Sequence, residues 1–91
     1  MAETIVTLSS SEGPVSMPKG STITRIVQAG GFRMHCSHPE GAENEPWEQR
    51  FFEVGLNGYN PSSPSFLVAG IAVQSDGTPG ATVFEILQDV Q

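Results

Sequence analysis

The chain is short of cysteine and of positive charge. Cys36 is the one cysteine in 91 residues, so no intramolecular disulfide can form, and a lone thiol is typical of a reducing compartment or a buried position. Four basic residues stand against ten acidic ones, which gives a formal net charge of −6. Nucleic-acid binding requires clustered Lys and Arg to neutralise phosphates, so we expect no nucleic-acid partner.

Long hydrophobic runs are also missing. The longest, Phe66 to Val73, falls far below the ~18 apolar residues of a membrane-spanning helix. The first twelve residues contain Glu3 and Glu12 but no Lys or Arg, so they do not resemble a secretion signal. We therefore expect no membrane association and a cytoplasmic or virion-associated location.

Glycine and proline are frequent, with ten and seven residues respectively, and they divide the chain into short segments typical of strands joined by turns. The pattern predicts one all-β domain over residues 1–91, folded as a small antiparallel sandwich or a partly closed barrel of six or seven short strands. The predicted strands are Thr4–Leu8, Val15–Met17, Ser21–Gln28, Phe32–Cys36, Glu48–Leu56 and Phe66–Gln74.

Three segments carry more specific predictions. Ala29-Gly30-Gly31 provides the conformational freedom of a tight hairpin turn. The strand at 66–74 has apolar residues on both of its faces, which predicts a central strand covered on both sides. Residues 81–90 are open between two states: Thr82-Val83-Phe84 favours a strand, whereas apolar residues at helical spacing favour a short helix. We favour the strand.

The N-terminal segment, residues 1–20, contains small polar residues and two prolines, Pro14 and Pro18, and has little to bury. It is predicted to be an arm and loop that packs on a neighbouring subunit. Contacts between subunits stabilise a small core that has no disulfides, so a homo-oligomer is expected.

His35, Cys36 and His38 form the most suggestive chemical cluster, because imidazole and thiolate are zinc ligands. Their spacing matches no established zinc signature, so the alternative is the end of a strand with part of the cluster in the core. A cysteine nucleophile would need His38 as its base, since His35 and Cys36 are strand neighbours and point to opposite faces. We expect neither a cofactor nor catalysis, and treat these three residues as weak metal candidates.

The segment between 37 and 48 is predicted to be an acidic loop that binds a protein partner or keeps the chain dissolved. Trp47 at its end is either a core residue or a partner anchor, and Tyr59 in the turn-rich segment 57–64 is predicted to be exposed. The candidate partner-binding residues are Glu40, Glu43, Glu45, Trp47, Glu48 and Tyr59.

Three functional hypotheses follow. The size, the Gly/Pro-rich β pattern and the lack of a catalytic constellation resemble small accessory proteins of viral particles, such as the decoration and cementing proteins of phage capsids. That resemblance implies a structural or interaction module acting through loops and the N-terminal arm. The alternatives are an acidic inhibitor that occupies a basic surface, similar in charge and size to phage antagonists of bacterial defence, and a metal-binding or cysteine-dependent protein.

Overall fold

The computed structural model describes residues 1–56 and 58–87. They form seven strands and one short 3-10 helix, as the sequence predicted for an all-β fold. The strands are β1 (Ala2–Leu8), β2 (Glu12–Met17), β3 (Thr22–Gln28), β4 (Phe32–His38), β5 (Glu48–Gly55), β6 (Phe66–Gln74) and β7 (Pro79–Ile86), and the 3-10 helix η1 spans Ala42–Asn44.

All seven strands belong to one nearly closed, barrel-like sheet with the order β1-β4-β3-β6-β7-β5-β2. Neighbouring strands run antiparallel except β3 and β6, which are parallel, so the sheet is mixed. The β3–β6 ladder consists of two residue pairs, Val27 with Val73 and Gln28 with Gln74. The sheet is therefore weakly joined at this seam, which lies in the middle of the strand order.

One side chain from every second position points into the sheet's interior, as the period of two along a strand requires. On β4, for example, Met34 and Cys36 are fully buried, whereas Arg33, which precedes Met34 and points to the other face, is exposed. The buried core cluster consists of Val6, Leu8, Val15, Met17, Ile26, Met34, Cys36, Phe52, Ala72 and Val83. Every strand contributes to it, so the core joins the whole molecule.

The predicted hairpin at Ala29-Gly30-Gly31 is confirmed. The Ala29 amide donates to the Gly31 carbonyl at 2.9 Å, and Gly30 adopts φ 68°, a left-handed conformation that a side chain disfavours. The hairpin sets the antiparallel register of β3 and β4. It thereby decides which residues of the His-Cys segment face the core.

Residues 2–17, treated above as an arm, contribute two strands to the sheet. β1 pairs with β4 from Ala2 to Leu8, and β2 pairs with β5 from Glu12 to Met17. β1 and β2 are the end strands of the sheet, and they add buried apolar side chains to the core. The sequence predicted shorter strands here, Thr4–Leu8 and Val15–Met17, but not that both pair within this chain's own sheet, because the pairing partners are distant in the sequence.

The segment at 66–74 is a strand with the predicted limits and a central place in the sheet, but the prediction that both its faces are covered is wrong. Leu67, Val68 and Ile71 are each more than half exposed, and only Ala72 is buried. Two register shifts, near Ala69 and Ala72, interrupt its pairing with β7. The apolar run therefore reflects a surface feature instead of a doubly covered strand.

The C-terminal alternatives are decided in favour of a strand over Pro79–Ile86, which pairs with both β5 and β6. The helical alternative is wrong for these residues, because their backbone pairs with a neighbouring strand on each side. Residues 88–90 of that predicted segment lie outside the described residues. Within residues 1–56 and 58–87, no helix is long and apolar enough to cross a membrane.

Candidate interaction surface

The three weak metal candidates do not share a site. Cys36 and His38 face the interior and are fully buried, whereas His35 lies on the opposite, outer face of β4. The Nδ1 atom of His35 is 3.8 Å from Glu3 Oε1 across the ladder to β1. Among the described residues, no three His, Cys, Asp or Glu side chains are grouped so that they could hold a metal ion.

The thiol of Cys36 is placed for packing. Its Sγ lies 3.7 Å from the Met34 carbonyl oxygen, and burial raises the pKa of the thiol despite the opposing charge of Arg50. A raised pKa keeps the sulfur protonated, whereas a nucleophile or a metal ligand must be the thiolate. This environment favours a core residue.

His38 cannot serve Cys36 as a base in this arrangement, because both its ring nitrogens have other partners. Nδ1 is 2.9 Å from the Pro39 carbonyl oxygen, and Nε2 is 2.7 Å from Thr4 Oγ1. A carbonyl only accepts, so Nδ1 carries the proton and, in the neutral ring, Nε2 accepts from the Thr4 hydroxyl. The imidazole thus links the end of β4 to β1.

The acidic loop is confirmed as exposed at three of its predicted positions, Glu40, Glu43 and Glu45. η1 lies within it and is preceded by Gly41 at φ 91°, whose amide donates to Glu43 Oε1 at 2.9 Å. Trp47 is 43% exposed, and its indole N–H donates to the Glu43 carbonyl at 3.0 Å. The ring is therefore held at the surface beside the carboxylates and does not plug the core.

Glu48 belongs to a different group of charges. Its Oε2 accepts from the Gly20 amide at 3.3 Å and lies 3.8 Å from Arg50. Arg50 donates two hydrogen bonds of 2.7 Å to Glu85 and one of 2.7 Å to the Ser21 carbonyl. This bidentate pair, mostly shielded from solvent, raises the pKa of Arg50 further above its ordinary value.

Tyr59 is exposed, as predicted, at 41%, but its hydroxyl is already engaged. It donates to Glu53 Oε1 at 2.8 Å, and its ring centroid lies 5.9 Å from that of Phe84. The Ser62 amide donates to the same carboxylate at 2.9 Å, and the Ser62 hydroxyl donates to its other oxygen. Tyr59 thus fastens the segment 58–65 to the outer face of β5 and β7.

Glu53 is the anchor of this contact, and it is only 5% exposed. Hydrogen bonds from the Ser62 side chain and amide, and then from Tyr59, hold the pKa of the carboxyl below its ordinary value. A groove of 390 Å³ beside it is lined by Glu12, Phe51 and Ile86 among others. Since both oxygens of Glu53 accept hydrogen bonds from the chain itself, the carboxylate holds a loop in place and is unsuited to proton transfer.

The outer part of β6 is the most exposed apolar surface that the strands carry. Val68, Ile71 and Leu67 are 60%, 58% and 56% exposed, and Phe66 beside them packs its ring edge-on against Phe84 at 5.5 Å. Val68 and Ile71 lie opposite Phe84 and Thr82 of β7 on the outer face, whereas Leu67 lies opposite Glu85 and points to the other face. We call Val68 and Ile71 the β6 patch. Large apolar side chains exposed on one face of a strand are typical of a contact surface.

Sequence reasoning missed Glu53, the Arg50–Glu85 pair and the β6 patch. Glu53 lies at a position whose alternation predicts a solvent-facing side chain, and the tyrosine and the serine that cover it, Tyr59 and Ser62, follow six and nine residues later. Arg50 and Glu85 are 35 residues apart, and only the pairing of β5 with β7 brings them together. No local pattern signals either contact.

Comparison with protein-family models, with curated proteins and with solved structures found no match to this chain.

Proposed function

We propose that the protein is a non-enzymatic interaction module that attaches to a larger assembly, in the manner of an accessory protein of a viral particle. The observation that supports this proposal is the β6 patch. A strand at the centre of the sheet would ordinarily bury such side chains, and leaving both of them in water forgoes about 1.5–3 kcal/mol for each side chain that a partner could cover.

The environments of the side chains with reactive groups, a thiol, an imidazole and a carboxylate, support the same proposal. The buried thiol of Cys36 is held protonated, the ring nitrogens of His38 are both engaged, and the carboxylate of Glu53 is occupied by Tyr59 and Ser62. These groups stabilise the fold through their contacts. Among the described residues, the surfaces to which we assign the function are the exposed apolar side chains of β6 and the acidic loop.

A second candidate is an acidic inhibitor that docks on a basic surface, the alternative raised by the charge balance. It is favoured by Trp47, which is exposed and donates its indole N–H to the main-chain carbonyl of Glu43, in a loop that also carries the exposed Glu40 and Glu45. A rigid aromatic ring with a rim of carboxylates is suited to anchor a cationic partner. Glu48 is not part of that rim, because it contacts Gly20 and Arg50.

Site-specific photo-crosslinking in a lysate of the cells that express the protein tests both candidates. A benzoylphenylalanine replaces Val68, Trp47 or, as a control on the exposed side of β2, Ser16. The interaction module predicts one discrete crosslinked partner from position 68 and none from position 16. The inhibitor predicts the crosslink from position 47, lost in about 1 M salt, where the Debye length falls to about 3 Å. The absence of a crosslink from position 68 contradicts the first proposal.

A further inference from the structure

A groove of 390 Å³ lies on the outer face of β5, beside segment 58–65. The strand pairings align two rows of side chains along it, because residues directly opposite each other on paired strands share a face. In one row, Phe51 lies opposite Ile86 of β7, and in the other, Glu53 lies opposite Glu12 of β2. One side of the groove is therefore apolar and the other side is acidic.

Phe51 presents an aromatic ring in this groove. Its neighbour Phe52 is buried in the core, so Phe51 points to the outer face. Phe51 is 37% exposed, although β5 is paired with β2 on one side and with β7 on the other. The face of an aromatic ring carries a partial negative charge and attracts cations. An exposed ring beside carboxylates therefore favours a cationic ligand.

The two carboxylates of the groove carry charge that the described part of the chain does not neutralise. Like charges directly opposite each other on paired strands repel. The ion pairs of residues 1–56 and 58–87 involve neither Glu12 nor Glu53, and Arg50 on the same strand is occupied by Glu85 and Glu48. Hydrogen bonds hold the pKa of Glu53 below its ordinary value, so its charge is present at neutral pH.

We propose that the groove binds an arginine side chain of the partner protein, with the guanidinium between Glu12 and the ring of Phe51 and the aliphatic stem against Ile86. The inference deepens the proposed function and rests on it. Arginine joins an apolar stem to a planar cation that both stacks on aromatic rings and pairs with carboxylates, whereas the lysine ammonium is more strongly hydrated. The volume of 390 Å³ is at the small end of the roughly 300–1,000 Å³ of ligand pockets, which suits one long side chain.

The position of the groove connects it to the β6 patch. Phe66 of β6 lies opposite Ile86, and Val68 follows two residues later on the same face. The apolar row therefore runs from β6 across β7 to Phe51 of β5, which is about 10 Å for two strand spacings. One partner surface can cover the β6 patch and place an arginine in the groove. The net charge of −6 attracts a partner with such basic residues.

The test uses the full chain and a small probe, Nα-acetyl-arginine amide, followed by two-dimensional NMR at neutral pH. The control is Nα-acetyl-citrulline amide, which has nearly the same shape but no charge, with sodium chloride added to equalise the ionic strength. We expect saturable shifts at Gly13, Phe51, Glu53 and Ile86 with the arginine probe. The citrulline probe should bind at least about threefold more weakly, because it lacks the cation.

Protein variants provide a second control. Glu12→Gln removes an exposed charge whose carboxylate has no hydrogen-bond partner among the described residues, and it should weaken binding of the arginine probe about two- to fivefold. Phe51→Leu keeps an apolar side chain but removes the ring, and it should weaken binding by a similar factor. Glu3→Gln is the matched control, since Glu3 is also exposed and lies on β1, and it should leave binding unchanged.

The outcomes separate this proposal from the proposed function. No saturable shift up to about 50 mM of the arginine probe overturns the arginine site, as does equal binding of the two probes or an equal effect of Glu12→Gln and Glu3→Gln. The yield of the crosslink from position 68 should fall with Glu12→Gln and not with Glu3→Gln. A crosslink from position 68 without arginine binding overturns the arginine site alone, and a missing crosslink overturns the interaction module itself, whether or not the probe binds.

Discussion

Single residues on the outer face are responsible for contacts that the alternation of the strands does not predict. Glu53 lies on β5 opposite Phe84 of β7, where a carboxylate would ordinarily point to water. Segment 58–65 covers it and satisfies its oxygens through Tyr59 and Ser62. A buried carboxylate is tolerated only when hydrogen bonds replace its hydration. Here the same hydrogen bonds also hold segment 58–65 against the sheet.

Glu53→Gln is expected to destabilise the fold by about 1–3 kcal/mol, because the amide nitrogen cannot accept the hydrogen bonds that a carboxylate oxygen accepts. Urea denaturation followed by circular dichroism measures the change. Glu12→Gln is the matched control, since Glu12 is exposed and lies opposite Glu53 in the β2–β5 ladder. The control should alter stability by no more than about 0.5 kcal/mol. Equal effects of the two substitutions would contradict the anchoring role of Glu53.

The pH dependence of the same pair gives a second reading of this prediction. The folded pKa of Glu53 lies below its ordinary value of 4.5, with the Ser62 hydroxyl as the main cause. Its contribution to stability is therefore complete above about pH 4.5 and is lost as the pH falls through the folded pKa. The stability gap between wild type and Glu53→Gln should shrink from about pH 5 to about pH 3.

Among the elements, β6 is distinguished by apolar residues that are buried at one position and exposed to solvent at others. Ala72 enters the core, while Leu67, Val68 and Ile71 remain exposed. The register shifts near Ala69 and Ala72 turn successive side chains out of strict alternation, which is the usual effect of a β-bulge. β5 and β7, by contrast, are covered on the outer face by segment 58–65.

That cover depends on the absence of a side chain at Gly55. A Cβ placed there would overlap the Tyr59 ring, so Gly55→Ala must displace the tyrosine from Phe84 and Glu53. We expect a loss of about 1–3 kcal/mol, typical of overpacking. Thermal unfolding of both single variants and the double variant measures the coupling: in the Tyr59→Ala background, Gly55→Ala should cost almost nothing. Additive losses would rule out this contact as the cause.

For the molecule as a whole, the core is a single cluster to which all seven strands contribute. The end strands β1 and β2 and the short β3–β6 ladder are held by this shared interior as well as by their hydrogen bonds. A small domain with one core and no disulfide is expected to unfold in a single cooperative transition. Loss of one central side chain should therefore weaken every strand.

Met34→Ala tests this cooperativity. The methionine is fully buried, so the cavity should cost about 2–5 kcal/mol, whereas Leu67→Ala at an exposed position of β6 should cost less than about 0.5 kcal/mol. Urea titrations followed by Trp47 fluorescence and by far-ultraviolet circular dichroism should move together in Met34→Ala. Separate transitions for the two probes would mean that the acidic loop and the sheet do not share one cooperative core.

The all-β class, the hairpin at Ala29–Gly31 and the approximate limits of most strands follow from local patterns, because turn residues and period-two patterning act locally. The separation of His35 from Cys36 follows in the same way, since strand neighbours face opposite sides. That residues 2–17 complete the sheet, that Glu53 is buried and that β6 is exposed beside the short β3–β6 ladder become evident only in the folded molecule. Each of these depends on which distant strands and loops cover a position, and local patterns do not contain that information.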